Sequence, residues 1–265
     1  MITLSQMIVY PVKSCLGHQV SISNVERAGL EDDRRMMVVT PEGRFLTQRE
    51  HPKLALVTPS ILGEELTLTA PNMDTLSLPI QKTGPSVPVN IWRSKDVEAV
   101  DQGEAAAEWF SAHLGIPARL VHIADRYFRT INEKYSVNHD DHTGFADGYP
   151  LLLTSEEGLA DLNTRLETPL PMNRFRPNLV VKGCEPFAED SWKRIRVGDV
   201  EIAVVKPCVR CVVTTIDKET LEKSKEPLKT LTSYRTWNRG PIFGQNAIPL
   251  IEGRLELGMT VEVLE

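Results

Sequence analysis

The sequence predicts a β-rich α+β protein with few helices. Short runs of β-branched and apolar residues recur along the chain, and proline or glycine interrupts them every few residues. Only two stretches, residues 103–114 and 156–166, have the composition or the apolar spacing that is typical of a helix. A chain of 265 residues is also long enough for about two domains, each with its own buried core.

The first 124 residues are predicted to form one module. Strands are expected over residues 3–12, 36–40, 44–48, 54–58, 66–70 and 119–123. A proline and a glycine within residues 41–43 indicate a hairpin turn. Alanine-rich residues 103–114 predict a helix, which Gly115 should end. We therefore place a domain boundary near residue 124.

Residues 125–265 are predicted to form the second module. Here strands are expected over residues 151–153, 179–182, 202–205 and 212–216, with further β pattern at the end of the chain. Thr154 and Glu157 fit a capping box that begins helix 156–166. Residues 240–246 contain two glycines and a proline, and they are expected to form a turn before the closing strands.

Composition and charge exclude several classes of protein. The net charge of −6 and the pI of about 5.6 argue against a nucleic-acid binder, which usually has a basic surplus. No apolar run approaches the ~20 residues of a membrane helix, and residues 1–10 lack the basic start of a signal peptide. Four cysteines in a chain of this length do not resemble a secreted disulfide framework. We expect a cytoplasmic protein without a nucleic-acid or membrane partner.

Cys208 and Cys211 form a Cys-x-x-Cys pair between two predicted strands. Pro207 closes the first of these strands and a β-branched run follows the pair, so the two thiols are expected on a turn or bulge of a rigid sheet. Arg210 places a positive charge beside them. That charge favours the thiolate, which is the form that binds a metal or attacks an electrophile.

Four interpretations of the pair remain open. Both residues could simply be buried, because free cysteine is among the most buried residue types. A redox disulfide would need a βαβ pattern of the thioredoxin kind, which is absent. A zinc site needs about four ligands, and there is no second Cys-x-x-Cys. The last interpretation is a single thiolate ligand to a metal cofactor. Spacing alone favours burial first and the cofactor ligand second.

Three other polar groups are candidates for binding or chemistry. Lys13 and Ser14 lie on a predicted turn and together suit a phosphate group. Residues 174–178 place two arginines and an asparagine at a strand entrance, where they could bind an anion. Asp147 precedes a glycine, so its carboxylate could face a cleft from a tight turn. Each pattern is also compatible with an ordinary solvated loop.

An ordered set of short motifs resembles the MOSC-domain proteins. Residues 10–15, Tyr-Pro-Val-Lys-Ser-Cys, and the Asp33-Arg34 step resemble their N-terminal β-barrel module. The motifs that resemble the MOSC domain itself lie at residues 145–150, 175–178, 188–192, 208–211 and 243–245. Each motif is weak alone, but the set covers essentially the whole chain in order. The resemblance implies a MOSC β-barrel domain plus a smaller N-terminal β-barrel module, similar to the mitochondrial amidoxime-reducing component and to bacterial proteins that detoxify hydroxylaminopurines.

The resemblance also implies a molybdenum cofactor, a pterin dithiolene with a terminal phosphate (Mo-molybdopterin), held between the two modules. It makes Cys211 the metal ligand and Asp147 an acidic residue beside the metal, so these two are the candidate catalytic residues. The implied cofactor-binding residues are Lys13, Ser14, Arg34, Tyr149, Arg176, Asn178, Val209, Arg210 and Cys211. Val209 stands where a relative has serine and offers only its backbone. Gly148 and Tyr149 replace a threonine–serine pair.

The implied activity is reduction of N-hydroxylated compounds such as hydroxylamines, N-hydroxylated bases and amidoximes. The remaining cysteines lack the spacing of a plant-type iron–sulfur cluster, and no Gly-x-Gly-x-x-Gly lies between a strand and a helix. Electrons are therefore expected from a separate ferredoxin- or flavin-type reductase. The rival hypothesis is a sulfur carrier that holds a persulfide on Cys211. A third is a module that binds or stores the cofactor without turnover.

Overall fold

The computed structural model describes residues 1–265, which form twenty-one strands and three α-helices. The strands are β1 (Thr3–Val9), β2 (His18–Val20), β3 (Ile22–Glu26), β4 (Gly29–Leu30), β5 (Met36–Val39), β6 (Thr58–Leu62), β7 (Glu65–Thr69), β8 (Leu76–Pro79), β9 (Ser86–Ile91), β10 (Ser94–Asp101), β11 (Arg119–Ile123), β12 (Arg129–Thr130), β13 (His142–Thr143), β14 (Leu151–Ser155), β15 (Leu179–Lys182), β16 (Arg194–Val197), β17 (Val200–Val209), β18 (Thr236–Trp237), β19 (Gly240–Ile251), β20 (Gly253–Glu256) and β21 (Val261–Val263). The α-helices are α1 (Glu104–Leu114), α2 (Glu156–Asn163) and α3 (Leu228–Tyr234). Short 3₁₀ helices lie at Pro52–Leu56, Glu133–Tyr135, Met172–Arg174, Ala188–Asp190 and Val212–Thr215. The predicted β-rich α+β class is confirmed.

A nine-stranded sheet, in the order β2-β1-β15-β14-β19-β17-β16-β21 with β18 paired to β19, carries the cysteine pair. Its centre is formed by the two longest strands, β17 and β19. Their register shifts at three places, and the last shift falls between Pro207 and Val209. Proline cannot donate to the ladder, and an irregularity of this kind bends the strand. The chain is therefore bent at the cysteine pair.

The first thirty residues are paired with strands of the C-terminal half. β1 runs antiparallel to β15, and β3 runs antiparallel to β20. A core of seventeen buried residues joins the two parts and includes Leu4 and Met7 from β1 and Leu179 from β15. This pairing brings the loop after β1 next to the chain that enters β15. The boundary near residue 124 stays a prediction.

The other N-terminal strands form two smaller sheets, β5-β11-β10-β9 and β6-β7-β8. Helix α1 packs on them with Trp109, Phe110 and Leu114 in a second core of sixteen residues. Its C-cap is Gly115 in the left-handed conformation, with φ of 75°, which confirms the predicted end of this helix. None of the α-helices has both the length and the apolar character needed to cross a membrane.

Several local predictions are wrong, either in the type of element or in the residue at which it begins or ends. Residues 44–48 form no strand and make only two isolated bridges, from Phe45 to Val39 and from Arg44 to Asn90. Most of 54–58 lies in the 3₁₀ helix Pro52–Leu56, where a proline occupies the first turn. The cap of α2 is Ser155, whose hydroxyl accepts a hydrogen bond from the Gly158 N–H at 3.2 Å. This helix ends at Asn163, three residues earlier than predicted.

Two predictions near the cysteine pair are wrong. Residues 212–215 form a 3₁₀ helix, and the Thr214 hydroxyl donates back to the Cys211 carbonyl at 2.9 Å. Residues 240–246 are not a turn but the first half of β19. Gly244 has a φ of 75°, and an added Cβ would lie 2.7 Å from the carbonyl oxygen of Leu153. This glycine therefore allows the close approach of β14 and β19.

Candidate functional site

A cavity opens where the loop after β1, residues 144–150 and the end of β17 meet. Twenty residues line it, and they come from both halves of the chain. The predicted site residues that line it are Lys13, Ser14, Arg34, Asp147, Tyr149, Arg176, Asn178, Arg210 and Cys211. Val209 is the exception: it is 43% exposed and does not line the cavity. The fold thus gathers nine of the ten predicted residues around one space.

Three of these residues have a strained backbone. Ser14, Arg34 and Arg176 have φ values of 69°, 48° and 56°, in the left-handed region that residues with a side chain rarely adopt. Each such conformation costs on the order of 1 kcal/mol or more and persists only where surrounding contacts impose it. Residues of this kind cluster at ligand sites. Their coincidence with the predicted anion donors supports a built binding site.

Two arginines are held on the faces of one buried tyrosine ring. The guanidinium carbons of Arg34 and Arg176 each lie 4.3 Å from the ring centroid of Tyr10. Burial raises the pKa of Tyr10 to about 12, although both arginines act in the opposite direction. The ring therefore stays neutral and provides a π surface for each cation. Its hydroxyl is buried without a hydrogen-bond partner.

The Arg34 guanidinium is fixed by its remaining contacts. Nη1 donates to the Asp33 carboxylate at 2.6 Å and to Asn178 Oδ1 at 2.8 Å. Nη2 donates to the Arg176 carbonyl at 3.1 Å. Asp33 is itself buried, and its other oxygen accepts a hydrogen bond from the Tyr10 N–H at 2.9 Å. The sequence step Asp33-Arg34 is therefore an internal ion pair that positions a cation, rather than a solvated surface pair.

Each thiol of the cysteine pair contacts an arginine. Arg210 Nη1 lies 2.8 Å from Cys208 Sγ, and its Nη2 donates to the Phe175 carbonyl at 2.6 Å. Arg49 Nη2 lies 3.1 Å from Cys211 Sγ. Each sulfur therefore has a cationic hydrogen-bond donor beside it. Cys211 immediately precedes the 3₁₀ helix Val212–Thr215, so a short rigid element follows it.

Arg49 is a site residue that the sequence did not reveal. Its guanidinium carbon lies 4.5 Å from the Trp92 ring centroid, and Nη2 is 3.8 Å from the Asp147 carboxylate. The Arg49 carbonyl accepts a hydrogen bond from Lys223 Nζ at 2.9 Å. Arg49 and Cys211 are 162 positions apart, and nothing in the local pattern around residue 49 indicates such a contact. The N-terminal half therefore supplies a cation to the cysteine of the C-terminal half.

Asp147 forms an ion pair with the buried ammonium of Lys13 and accepts a hydrogen bond from Trp92 Nε1 at 3.2 Å. Desolvation raises the pKa of Asp147, but Lys13 and Arg49 outweigh it and hold that pKa well below its usual range. The carboxylate is therefore ionised at neutral pH. Burial lowers the pKa of Lys13, and the contact with Asp147 opposes that shift. The proton of this pair resides on Lys13.

Arg129 fixes the loop that carries Asp147. Its buried guanidinium donates to the carbonyls of Gly144, Ala146 and Asp147 at 2.9, 2.6 and 3.1 Å. A loop held by three hydrogen bonds from one charged group keeps its carboxylate in place. The residues around Arg129 are charged or aromatic and carry no recognisable motif, so nothing in the sequence indicated this role.

The charge of the cavity wall suits an anionic ligand with a soft metal. The wall contains five permanent or protonated cations and a single carboxylate, that of Asp147. The buried Nε of Arg210 has no hydrogen-bond partner, which leaves one further donor at the site. Cys211 adds a sulfur donor, and soft sulfur ligands suit metals bound by sulfur. The residues present therefore fit a molybdenum–pterin cofactor with a phosphate.

Comparison with known proteins gives two family matches. Residues 1–117 match the MOSC N-terminal beta barrel domain, and residues 140–262 match the MOSC domain. The human mitochondrial amidoxime-reducing component 1 is 38% identical over 280 residues, which cover 99% of this chain and 83% of the human protein. The rat mitochondrial amidoxime reducing component 2 is 39% identical over 266 residues, which cover 91% and 77%.

Among solved structures, the YUAD protein from Bacillus subtilis aligns with 98% of this chain and 94% of its own at 9% identity. The TM-score of 0.43 is too low to establish a shared fold. The relatives at 38% and 39% identity and the two ordered domain matches establish the relationship instead. On this evidence the chain belongs to the MOSC proteins that carry an N-terminal MOSC β-barrel domain, the family of the amidoxime-reducing components.

Proposed function

We propose that this protein reduces N-hydroxylated compounds with a molybdenum cofactor bound in the cavity. The human relative that matches 99% of this chain is named for the reduction of amidoximes. The observation that carries the proposal is the Cys211 thiol, which contacts Arg49 in a wall rich in cations. A sulfur ligand and an anion-binding wall are what a phosphate-bearing dithiolene cofactor needs.

The proposed cofactor contacts follow from this geometry. Arg176 and Lys13, with Arg34, would hold the phosphate through charge-assisted hydrogen bonds. Cys211 would be the thiolate ligand to the metal. The proposed pterin contacts in the cavity wall are Ser14, Tyr149, Asn178 and Arg210. A contact through the backbone of Val209 is proposed from the family resemblance alone, because Val209 lies outside that wall. When bound, the cofactor supplies a metal capable of two-electron oxygen-atom transfer.

The chain itself must supply and move protons. Conversion of an N–OH group to N–H plus water consumes two electrons and two protons. Asp147 is the proposed proton carrier; its carboxylate is ionised and stabilised by Lys13 and Arg49, so it would accept a proton from solvent before passing it on. Arg129 would keep the carboxylate in place through its three backbone contacts.

Metal analysis distinguishes this proposal from its rival. Protein purified from its native cell should contain molybdenum and pterin in near-equal amounts, and should reduce an amidoxime when a strong chemical reductant is added. A sulfur carrier would instead release labile sulfur from Cys211 and contain no molybdenum. Persulfide without metal would therefore overturn the reductase and favour the carrier. Metal and pterin without any turnover would favour a storage module.

Electron supply gives a second expected result. The isolated, cofactor-loaded protein should reduce N-hydroxylated substrate with a chemical reductant but show little activity with NADH or NADPH alone. The chain has no dinucleotide fingerprint, and its four cysteines are free and lack the spacing of an iron–sulfur cluster. A ferredoxin- or flavin-type reductase from the same cell should restore turnover with NAD(P)H through a small, transient contact. Robust NADH-driven activity of the homogeneous protein without bound flavin would refute this expectation.

Three further points extend the proposal. We infer that the protein works in the cytoplasm. We also infer that neither nucleic acid nor a membrane is its partner, and its acidic net charge supports the exclusion of nucleic acid. We also infer that residues 1–124 and 125–265 are its two modules. The cavity then lies between them, because Lys13, Ser14, Arg34 and Arg49 come from the first and Cys211 from the second.

A further inference from the structure

Three aromatic rings surround one lysine at the edge of the cavity. Lys206 Nζ lies 4.8 Å from the ring centroid of Tyr135, and 5.4 Å from those of Tyr149 and Trp237. The rings of Tyr135 and Tyr149 meet edge to face, with centroids 6.4 Å apart. We call these four residues the Lys206 box. An ammonium within about 6 Å of several ring faces is held by cation–π attraction.

Each wall of the Lys206 box is positioned by its own element. Tyr135 ends the 3₁₀ helix that Asn132 caps, because the Asn132 side chain accepts a hydrogen bond from the Lys134 N–H at 3.0 Å. Trp237 precedes a two-residue hairpin turn in which Asn238 and Arg239 both have positive φ. Such turns match the twist of the strands they join. The rings are therefore placed by the backbone rather than by chance surface packing.

The lysine of the box carries an uncompensated charge. No carboxylate lies within ion-pair distance of Lys206, and its ammonium donates no hydrogen bond to the protein. The side chain is half-buried. Burial raises the pKa of Tyr149 to about 12, so this wall is a neutral phenol and does not act as a counter-ion. A cation held by neutral rings and open at one side is available to an external anion.

The Lys206 box is continuous with the candidate site. Tyr149 belongs both to the box and to the cavity wall that contains Cys211. Asn246 also lines the cavity, and its Nδ2 donates to the Lys206 carbonyl at 3.4 Å and to the Pro207 carbonyl at 3.3 Å. Along β17, Lys206 precedes Cys208 by two residues, which is about 7 Å of strand. Tyr149 and Asn246 therefore connect the Lys206 box to the cavity wall.

We infer that the Lys206 box is the substrate-recognition wall of the enzyme and selects flat, conjugated N-hydroxylated compounds that carry an anionic group. This inference rests on the proposed reductase function. The rings stack against a planar substrate, because offset and edge-to-face contacts with aromatic side chains are favourable. The Lys206 ammonium pairs with a carboxylate or phosphate on the same substrate. A substrate with a fixed positive charge is repelled by Lys206.

Lys206 favours an anionic ligand, whereas the aromatic rings alone favour a cationic one. This difference makes the inference testable. Three aromatic rings without the lysine form a site for a quaternary ammonium group. Lys206→Met keeps the length of the side chain but removes its charge. The wild type should therefore prefer anionic ligands, and the variant should prefer cationic ones. A purely structural role of Lys206 would change stability without reversing the preference.

The experiment measures binding of two probes with the same ring, benzoate and phenyltrimethylammonium, to the cofactor-loaded protein by isothermal titration calorimetry. The wild type should bind benzoate about three- to tenfold more tightly than the cation, the scale of a single half-exposed charge contact. In Lys206→Met this order should reverse. Trp237→Leu removes one wall of the box through a residue of β18, leaves the sequence of β17 unchanged, and should weaken binding of both probes. Phe128→Leu is the matched control, because Phe128 is exposed and is not part of the cavity wall.

Steady-state kinetics extend the test to substrates. The KM for 4-carboxybenzamidoxime should rise about three- to tenfold in Lys206→Met, while kcat changes little, because the box contacts the part of the substrate that does not react. If the amidoxime is reduced but neither the probes nor KM respond to Lys206→Met, the recognition wall is refuted and the reductase stands. If the probes reverse but no N-hydroxylated compound is reduced, the proposed function fails and the box stands as an anion-selective aromatic site.

Discussion

Replacing Cys211 by serine should abolish reduction of N-hydroxylated compounds while the fold is retained. A serine hydroxyl is a harder donor than a thiolate and does not ionise at neutral pH, so it cannot replace a soft sulfur ligand. Loss of a residue that only supports a ligand typically costs 10- to 100-fold, so loss of the ligand itself should cost more than about 100-fold. Reduction of an amidoxime with a chemical reductant measures the effect, and thermal unfolding confirms the fold.

Cys208→Ser is the matched control for this prediction. The Cys208 sulfur contacts Arg210 Nη1 at 2.8 Å, and a serine oxygen could accept the same hydrogen bond. Arg210 is also held by the Phe175 carbonyl, so it should stay in place. The variant should therefore lose only part of its activity. If Cys208→Ser is the inactive protein and Cys211→Ser the active one, the ligand assignment within the pair is reversed.

Arg176→Ala should weaken retention of the cofactor by about 10- to 100-fold, since it removes a charge-assisted hydrogen bond worth roughly 1.5–3 kcal/mol. The side chain packs on Tyr10 and donates to the Cys15 carbonyl at 2.6 Å, so it is already held in one position when the anion arrives. Pterin content after gel filtration measures the loss. This readout does not depend on turnover.

Lys13→Ala should lower retention as well, but its effect has two sources. It removes a cation from the cavity and also leaves the Asp147 carboxylate without its ion-pair partner. Arg44→Ala is the control for both variants, because Arg44 is exposed and pairs only with the exposed Glu50. Pterin content equal to the wild type in Arg176→Ala and Lys13→Ala alike would remove these residues from the anion site.

The sequence was most informative where function depends on residue type and order. The cysteine pair, the Lys13-Ser14 turn, the Asp33-Arg34 step and residues 175–178 could each be recognised locally, and the family matches confirm the resemblance that they carried. The strand and helix patterns were also adequate for the fold class, since alternation and helical spacing are local properties. Helix α1 was predicted almost to its ends, because Gly115 marks its C-cap.

Two segments near the cysteine pair depart from their sequence patterns, one for a local and one for a long-range reason. Val212–Thr215 has strand-forming residues but winds into a 3₁₀ helix, since its hydroxyls bond back to the Cys211 and Val212 carbonyls. Gly244 resembles a turn residue, yet it lies within a long strand whose neighbour approaches too closely for a side chain.

By itself, then, the sequence determined the β-rich class and identified the polar residues and the thiol that line the cavity, as candidates for binding an anion and a metal. Only the tertiary structure placed Arg49 on the Cys211 sulfur and three rings around Lys206. Local periodicity predicts neither contact, because each contact joins residues from separate elements that are distant in the sequence. Such contacts form only when strand pairing, as between β1 and β15 or β17 and β19, has fixed the positions of the loops.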